Sequence, residues 1–124
     1  MIVTADDPGM HSSQNEQDNR FYAKFAKIPL LEPSDSQEAK DFVGLGLMVS
    51  EMFDTPVLIR ITTAIAHSKS IVKFNLQQKT NFHNKTFRKD SAKWVMIPAN
   101  ARKRRLLVEA RLKKLKNFSE RTWC

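Results

Sequence analysis

The chain is expected to fold as an α/β protein with a small parallel sheet and a basic C-terminal helix. Three observations predict this. Apolar runs suited to strands, at residues 2–5, 28–33 and 57–63, alternate with stretches of helical periodicity. The run Val57-Leu58-Ile59-Arg60-Ile61-Thr62-Thr63 is β-branched and nearly all apolar, as a strand covered on both faces is. A long polar turn at residues 6–20 separates the first strand from the first helix. In α/β proteins, ligands bind beyond the carboxyl end of a strand, and this turn occupies such a place. The order strand, helix, strand, helix, strand implies right-handed βαβ units. Three strands are few for a doubly wound domain, so an incomplete one is expected.

Each element has a local reason. Ile2-Val3 opens a short strand. Pro8-Gly9 suits the centre of a type II turn, because Pro presets φ near −65° and Gly accepts φ > 0. Ser13 and Glu16 have the capping-box spacing, so a helix is predicted over residues 14–27, with Phe21, Phe25 and Ile28 on its apolar face. Leu30 and Leu31, flanked by Pro29 and Pro33, form a brief strand. Ser34 with Gln37 makes a second capping box, and a helix follows from Asp35 to Phe53 with Ala39, Phe42, Val43, Val49, Met52 and Phe53 on one face. Gly44 and Gly46 inside it cost about 1 kcal/mol each against alanine; close packing on a sheet is a benign reason for them. Arg60 interrupts the third strand and should reach the strand end or a polar site. Residues 64–70 leave that strand at its carboxyl end and form a second candidate for the site rim. Residues 74–93 read as a linker, Trp94–Pro98 as an extended anchor, and Asn100 as the cap of a last helix from Ala101 to Ser119. Its apolar stripe is Val108, Leu112, Leu115 and Phe118. The expected organisation is 1–73, a linker over 74–100, and a basic amphipathic helix and tail over 101–124.

Composition narrows the function classes. At 124 residues the chain is at most one domain. Residues 1–66 carry 5 basic and 10 acidic side chains, residues 67–100 carry 7 and 1, and residues 101–124 carry 9 and 2. A basic C-terminal half marks a nucleic-acid or membrane contact, a solvated helix face, or a surface for an acidic neighbour. The single cysteine, Cys124, excludes an internal disulfide, a CxxC zinc site and a cysteine-ligated cluster within this chain. His11, His67 and His83 show no metal spacing. The first residues lack a basic n-region and a long apolar run, so a cytoplasmic location is expected. His11 reads as an acid or base in the site, or as a plain loop histidine. Ser12 and Ser13 have no base paired with them, and Asp6 and Asp7 read as turn formers before they read as metal ligands.

The stretch Ala5-Asp6-Asp7-Pro8-Gly9-Met10-His11-Ser12-Ser13-Gln14-Asn15-Glu16-Gln17-Asp18 resembles the N-terminal domain of the indolepyruvate:ferredoxin oxidoreductase alpha subunit family. Further stretches are similar to the same family: Ala23 to Lys27, Leu31 to Lys40, Pro56 to Thr63, His67 to Ser70, Lys89 to Lys93, and Val95 to Arg102. The resemblance covers roughly residues 2–120. It implies a fragment of a pyrimidine-type thiamine diphosphate-binding domain, namely its C-terminal half, followed by the linker to a next domain. The implied activity is oxidative decarboxylation of aryl 2-oxo acids such as indolepyruvate to acyl-CoA, with coenzyme A as co-substrate. Thiamine diphosphate, magnesium and iron–sulfur clusters are the implied cofactors. The rest of the alpha subunit, a beta subunit and ferredoxin are the implied partners. Related enzymes carry a substrate-contacting arginine in the equivalent loop, and Gln14 falls near that place. The resemblance therefore makes His11, Ser12, Gln14, Asn15 and Gln17 a loop facing substrate and cofactor, and His67 and Ser68 the site rim.

The departures from the family bear on activity. Its pyrimidine-activating glutamate, diphosphate site and cluster cysteines have no counterpart in this chain. Gly44 and Gly46 replace good helix formers, and Arg121-Thr122-Trp123-Cys124 is unlike the family. A truncated or split-gene product, inactive alone, is the expectation. A basic nucleic-acid-binding module on Arg102-Lys103-Arg104-Arg105 and Lys113-Lys114-Lys116, or a protein-docking helix, is the alternative.

Overall fold

The computed structural model describes residues 1–74 and 87–122. The chain divides into two units, Met1–Lys73 and Phe74–Cys124. The first unit is a small α/β layer structure built on a three-stranded parallel sheet. Strands β1 (Ile2–Asp6) and β2 (Leu30–Leu31) flank β3 (Leu58–Thr62), giving the order β1-β3-β2. Helix α1 (Arg20–Ala26) joins β1 to β2, α2 (Ser36–Phe53) joins β2 to β3, and α3 (Thr63–His67) leaves β3. The central strand holds the core. Val57, Leu58, Ile59 and Arg60 are all buried, and Phe42 and Val49 of α2 are buried with them.

The first helix is shorter than its periodicity predicts and turned differently. The capping box at Ser13 and Glu16 is not formed. Ser13 Oγ bonds to Asn15 instead, and Glu16 accepts from Gly9 N at 3.0 Å. Residues 14–19 are loop, and the helix starts at Arg20. Asn19 sets its rotation because that side chain is drawn into a buried polar cluster. Ala23, four residues on, shares its face and is the one buried residue of α1. Phe21 and Phe25 lie on the other side, 63% and 91% exposed.

The second helix begins one residue later than the sequence suggests. Asp35, not Ser34, is the cap and accepts from Glu38 N at 2.8 Å. Glu38 answers by accepting from Ser34 N and Oγ, each at 2.7 Å. The buried stripe is Phe42, Gly46 and Val49, whereas Val43 and Met52 are exposed. A Cβ on Gly46 would meet Met1 Sδ at 3.4 Å, Leu31 Cδ1 at 3.5 Å and Val57 Cγ1 at 3.6 Å, so α2 does approach the sheet there. At Gly44 nothing lies within 4 Å, and packing gives no reason for glycine. Gly44→Ala is expected to raise stability by about 1 kcal/mol through helix propensity alone, read as a higher urea midpoint.

In the second unit, Asp90 caps α4 (Ser91–Trp94), accepting from Lys93 N at 3.1 Å. The rings of Phe87 and Trp94 lie 5.9 Å apart. Helix α5 runs Pro98–Thr122, so it starts three residues before the predicted point, with proline as its first residue. Asn100 is therefore inside the helix and not its cap; its amide donates back to Val95 O at 2.9 Å. Val108, Leu112, Leu115 and Phe118 are half-buried. Arg102, Lys103, Arg105, Lys113, Lys114 and Lys116 are exposed. Residues 75–86 of the predicted linker lie outside the described residues. Among the described residues no helix is long and apolar enough to cross a membrane.

Candidate functional site

A charged side chain in the middle of a buried strand must be paired or it destabilises the fold. Arg60 is 1% exposed, and each part of its guanidinium is used. Nη2 donates to Asp6 Oδ2 at 2.9 Å, Nε donates to Asn19 Oδ1 at 2.8 Å, and Nη1 pairs with Glu32. Asn19 passes the connection on, donating from Nδ2 to Thr4 Oγ1 at 2.7 Å and to Ala5 O at 2.9 Å. Arg60 thus ties together the ends of β1 and β2 and the start of α1.

The same cluster holds the polar loop. Asp6 Oδ1 accepts from Asp7 N at 3.0 Å and from Gln17 N at 3.2 Å, closing the loop at both ends. Asp7 Oδ2 accepts from Ser12 N and Ser13 N, each at 2.6 Å. Between them, Met10 N donates to Asp7 O at 2.9 Å across Pro8 and Gly9, and Gly9 has φ +82°. That is the type II turn the dipeptide predicts, and only glycine takes its third position without strain.

Electrostatics follow from these bonds. The Arg60 guanidinium, and next the Gln17 N–H, hold the Asp6 carboxyl down at about 2. The Thr63 hydroxyl, and next the Ser12 N–H, hold Asp7 well below the usual carboxylate range. Thr63 has one proton and two acceptors within its reach, the Asp7 carboxylate and Asp6 O at 3.4 Å. Asp7 Oδ1 is otherwise a buried oxygen without a hydrogen-bond partner. Both carboxylates are therefore ionised at neutral pH and lie under the loop.

Above them opens a cleft of about 360 Å³ at the carboxyl ends of β1 and β3. Its loop side is Ser12, Ser13, Asn15 and Gln17; its other side is Thr62, Thr63, Ala66 and His67. Of the residues singled out from sequence, Ser12, Asn15, Gln17 and His67 meet at this cleft. His11 and Gln14 are exposed and do not line it. Ser68 turns away, with Oγ 3.0 Å from Ser36 Oγ and donating to Ile65 O at 2.9 Å. Sequence reasoning missed Asn19, Glu32 and Thr63. Only Arg60, a cation inside an apolar strand, signalled a buried counter-charge, and it could not say which carboxylates supply it.

The donor set limits what the cleft can hold. Its lining side chains are hydroxyls, amides and the His67 imidazole over two ionised carboxylates, an arrangement that offers hydrogen bonds and, among the described lining residues, no Lys or Arg. It does not fit a diphosphate, which needs cationic or N–H donors. Among the described residues no three His, Cys, Asp or Glu side chains cluster to hold a metal ion. An iron–sulfur cluster needs several thiolates, and the chain has one cysteine.

No family model matches the chain, and no solved structure matches it. Curated proteins do. The indolepyruvate oxidoreductase subunit IorA of Archaeoglobus fulgidus is 41% identical over 99% of this chain and 20% of its own length. The IorA subunit of Methanothermobacter thermautotrophicus is 46% identical over 82% of the chain and 16% of its length. That of Pyrococcus horikoshii is 48% identical over 80% and 16%. The chain therefore spans a fifth or less of the relatives it matches. With identities of 40% or more across nearly all its residues, the chain is homologous to the N-terminal part of indolepyruvate oxidoreductase subunit IorA.

Proposed function

We propose that the chain supplies one wall of the active site of a thiamine diphosphate-dependent 2-oxo acid:ferredoxin oxidoreductase. The reaction is the oxidative decarboxylation of aryl pyruvates, indolepyruvate among them, to acyl-CoA. The observation that carries this reading is the loop of residues 7–17, pinned by Asp6 and Asp7 over a cleft at the strand ends, in a chain homologous to IorA. Asn15 and Gln17 present amides to that cleft, and Gln14 lies beside Asn15. In this reading Asn15 and Gln17 take the substrate carboxylate by hydrogen bonds and not by an ion pair. The carboxylates of Asp6 and Asp7 keep that anion at the outer side, away from the floor. Ser12 faces substrate and cofactor from the loop, and His67 forms the rim.

Thiamine diphosphate supplies the carbanion chemistry, but its diphosphate and magnesium do not fit the residues present, nor do the clusters. Those groups belong to other domains, so the chain works with the remaining alpha-subunit region, a beta subunit and ferredoxin. Its location is cytoplasmic in this reading. The pyrimidine-type domain assignment, with residues 1–73 as its half and 101–124 as a basic docking helix, is part of the same reading.

The test is reduction of a viologen dye by indolepyruvate with coenzyme A and thiamine diphosphate. The chain alone is expected to show no turnover; turnover by it would overturn the inactivity. Co-expressed with a beta subunit and the remaining alpha-subunit region, it is expected to restore turnover, and Asn15→Ala is expected to raise KM for indolepyruvate about tenfold. No turnover from that assembly would overturn the reading. Nucleic-acid binding finds support only in the exposed cations of α5, which lack interleaved aromatics.

A further inference from the structure

Two exposed helix faces carry opposite charge. On α2 the buried stripe is Phe42, Gly46 and Val49, so the helical period puts Gly44, Leu47, Met48 and Glu51 on the far side, with Asp41 at its margin. Leu47 is 51% and Met48 45% exposed, and nothing lies within 4 Å of the place a Cβ on Gly44 would take. Lys40, at the edge of this face, is turned to Asp41 at 2.8 Å and to Lys73 O at 2.7 Å. On α5 the half-buried stripe is Val108, Leu112, Leu115 and Phe118, so the far side is Lys103, Leu106, Leu107, Ala110, Lys113 and Lys114. Leu106 is 73% and Leu107 55% exposed. The carboxylates of α5 lie off this face, with Glu109 paired to Arg105 at 3.0 Å and Glu120 to Lys116 at 3.7 Å. The far side of α5 therefore sets cations around two leucines, and that of α2 sets carboxylates around an apolar centre.

We infer that α5 of one copy packs antiparallel across the outer face of α2 in a second copy, and that the exchange is reciprocal, so that the chain forms a dimer. This goes beyond the proposed function and does not depend on the reaction. Both faces are exposed in the single chain, and a second copy brings the complement of each. One register satisfies them together. With Ala110 set on Gly44, the missing side chain lets the two helices approach closely, which gives that glycine a use. Leu107 then meets Leu47, Leu106 meets Met48, and Lys103 meets Glu51 a turn further on. In the other direction Lys113 meets Asp41. A parallel alignment through the same contact sets Lys113 on Leu47, Lys114 on Met48 and Leu107 on Asp41, so charge falls on apolar groups and the pairing is lost. Two copies of the α2 face cannot cover each other as well, since both carry the Asp41 and Glu51 carboxylates.

The test is sedimentation equilibrium of the full chain up to about 100 µM, at about 150 mM salt. A monomer–dimer equilibrium is expected; a chain that stays monomeric, or one that forms larger assemblies, overturns the inference. Glu51→Lys and Lys103→Glu each set like charges at both contacts, and each is expected to weaken the dimer about tenfold or more. Mixed one to one, the two variants make both contacts complementary again, so the mixed dimer should recover to within about threefold of the native affinity. A dimer that neither variant weakens, or a mixture without recovery, overturns the register and the inference with it. Gly44→Leu puts a better helix former at an exposed position, so it should fold at least as stably as the native chain and yet dimerise about tenfold more weakly or worse. Native dimer affinity in that variant also counts against the inference. Should a charge variant lose its circular dichroism, Gly44→Leu carries the test.

Discussion

Arg60→Ala is expected to destabilise the Met1–Lys73 unit by about 3–5 kcal/mol, because it strands buried carboxylate that Arg60 now neutralises. A unit of this size has a total stability of only several kcal/mol, so the variant should be largely unfolded at neutral pH. Loss of the cooperative urea transition, followed by circular dichroism, is the measurement. Arg60→Met keeps most of the volume and removes the charge, and should be nearly as damaging if electrostatics dominate. Pairing it with Asp6→Asn should recover part of the loss, because the guanidinium and the Asp6 carboxylate are removed together. A cost below about 1 kcal/mol for Arg60→Ala would mean that the strand does not depend on its cluster.

Asp7→Ala is expected to release the loop while leaving the sheet intact. The Asp7 carboxylate holds the backbone of Ser12 and Ser13 at 2.6 Å each, and among the described residues no other side chain does so. Amide exchange at those two residues should quicken about tenfold or more in the variant, with β3 amides unchanged. Unchanged exchange at Ser12 and Ser13 would refute the role. The same carboxylates set an acid limit. Folding lowers the Asp6 carboxyl from 3.8 to about 2, by the Arg60 guanidinium first, and lowers Asp7 further, by the Thr63 hydroxyl first. A group lowered on folding stabilises fully above its unfolded value and loses that contribution as pH falls through its folded value. Stability from this pair should therefore be level from neutrality to about pH 4 and fall from there toward about pH 2. Asp7→Ala should make that fall shallower.

Local signals were legible where local forces decide them. The strand at Val57–Thr63, the Pro8-Gly9 turn and the long helix after Pro33 each follow from φ preferences, β-branching or apolar spacing within a few residues. Signals that compete with a distant partner were misread. Ser13 and Glu16 have the spacing of a cap, yet Asp7 takes the Ser12 and Ser13 amides and Glu16 turns back to Gly9. Phe21 and Phe25 have the spacing of a core face, yet Asn19 is anchored to Arg60, and that anchor turns Ala23 inward and the rings out. The site itself was half visible. Ser12, Asn15, Gln17 and His67 meet at the cleft because loop and strand end are neighbours in any α/β layer. His11 and Gln14, from the same loop, fall outside it because the backbone bonds to Asp7 decide which side chains turn inward.

By itself, then, the sequence determined the α/β class, the three strands, the position of the loop and a family likeness written in contiguous residues. These are properties of short windows, in which steric preference and hydrophobic period act alone. Only the tertiary structure decided that Arg60 would find Asp6, Asn19 and Glu32, partners 54, 41 and 28 residues away. A buried charge must be satisfied from whatever the fold brings near, and that selection has no signature in any one window. The place of β1 at the edge of the sheet is likewise a fact of strand order among the described residues. It exists because β3, the last strand in sequence, inserts between the first two and leaves β1 outside.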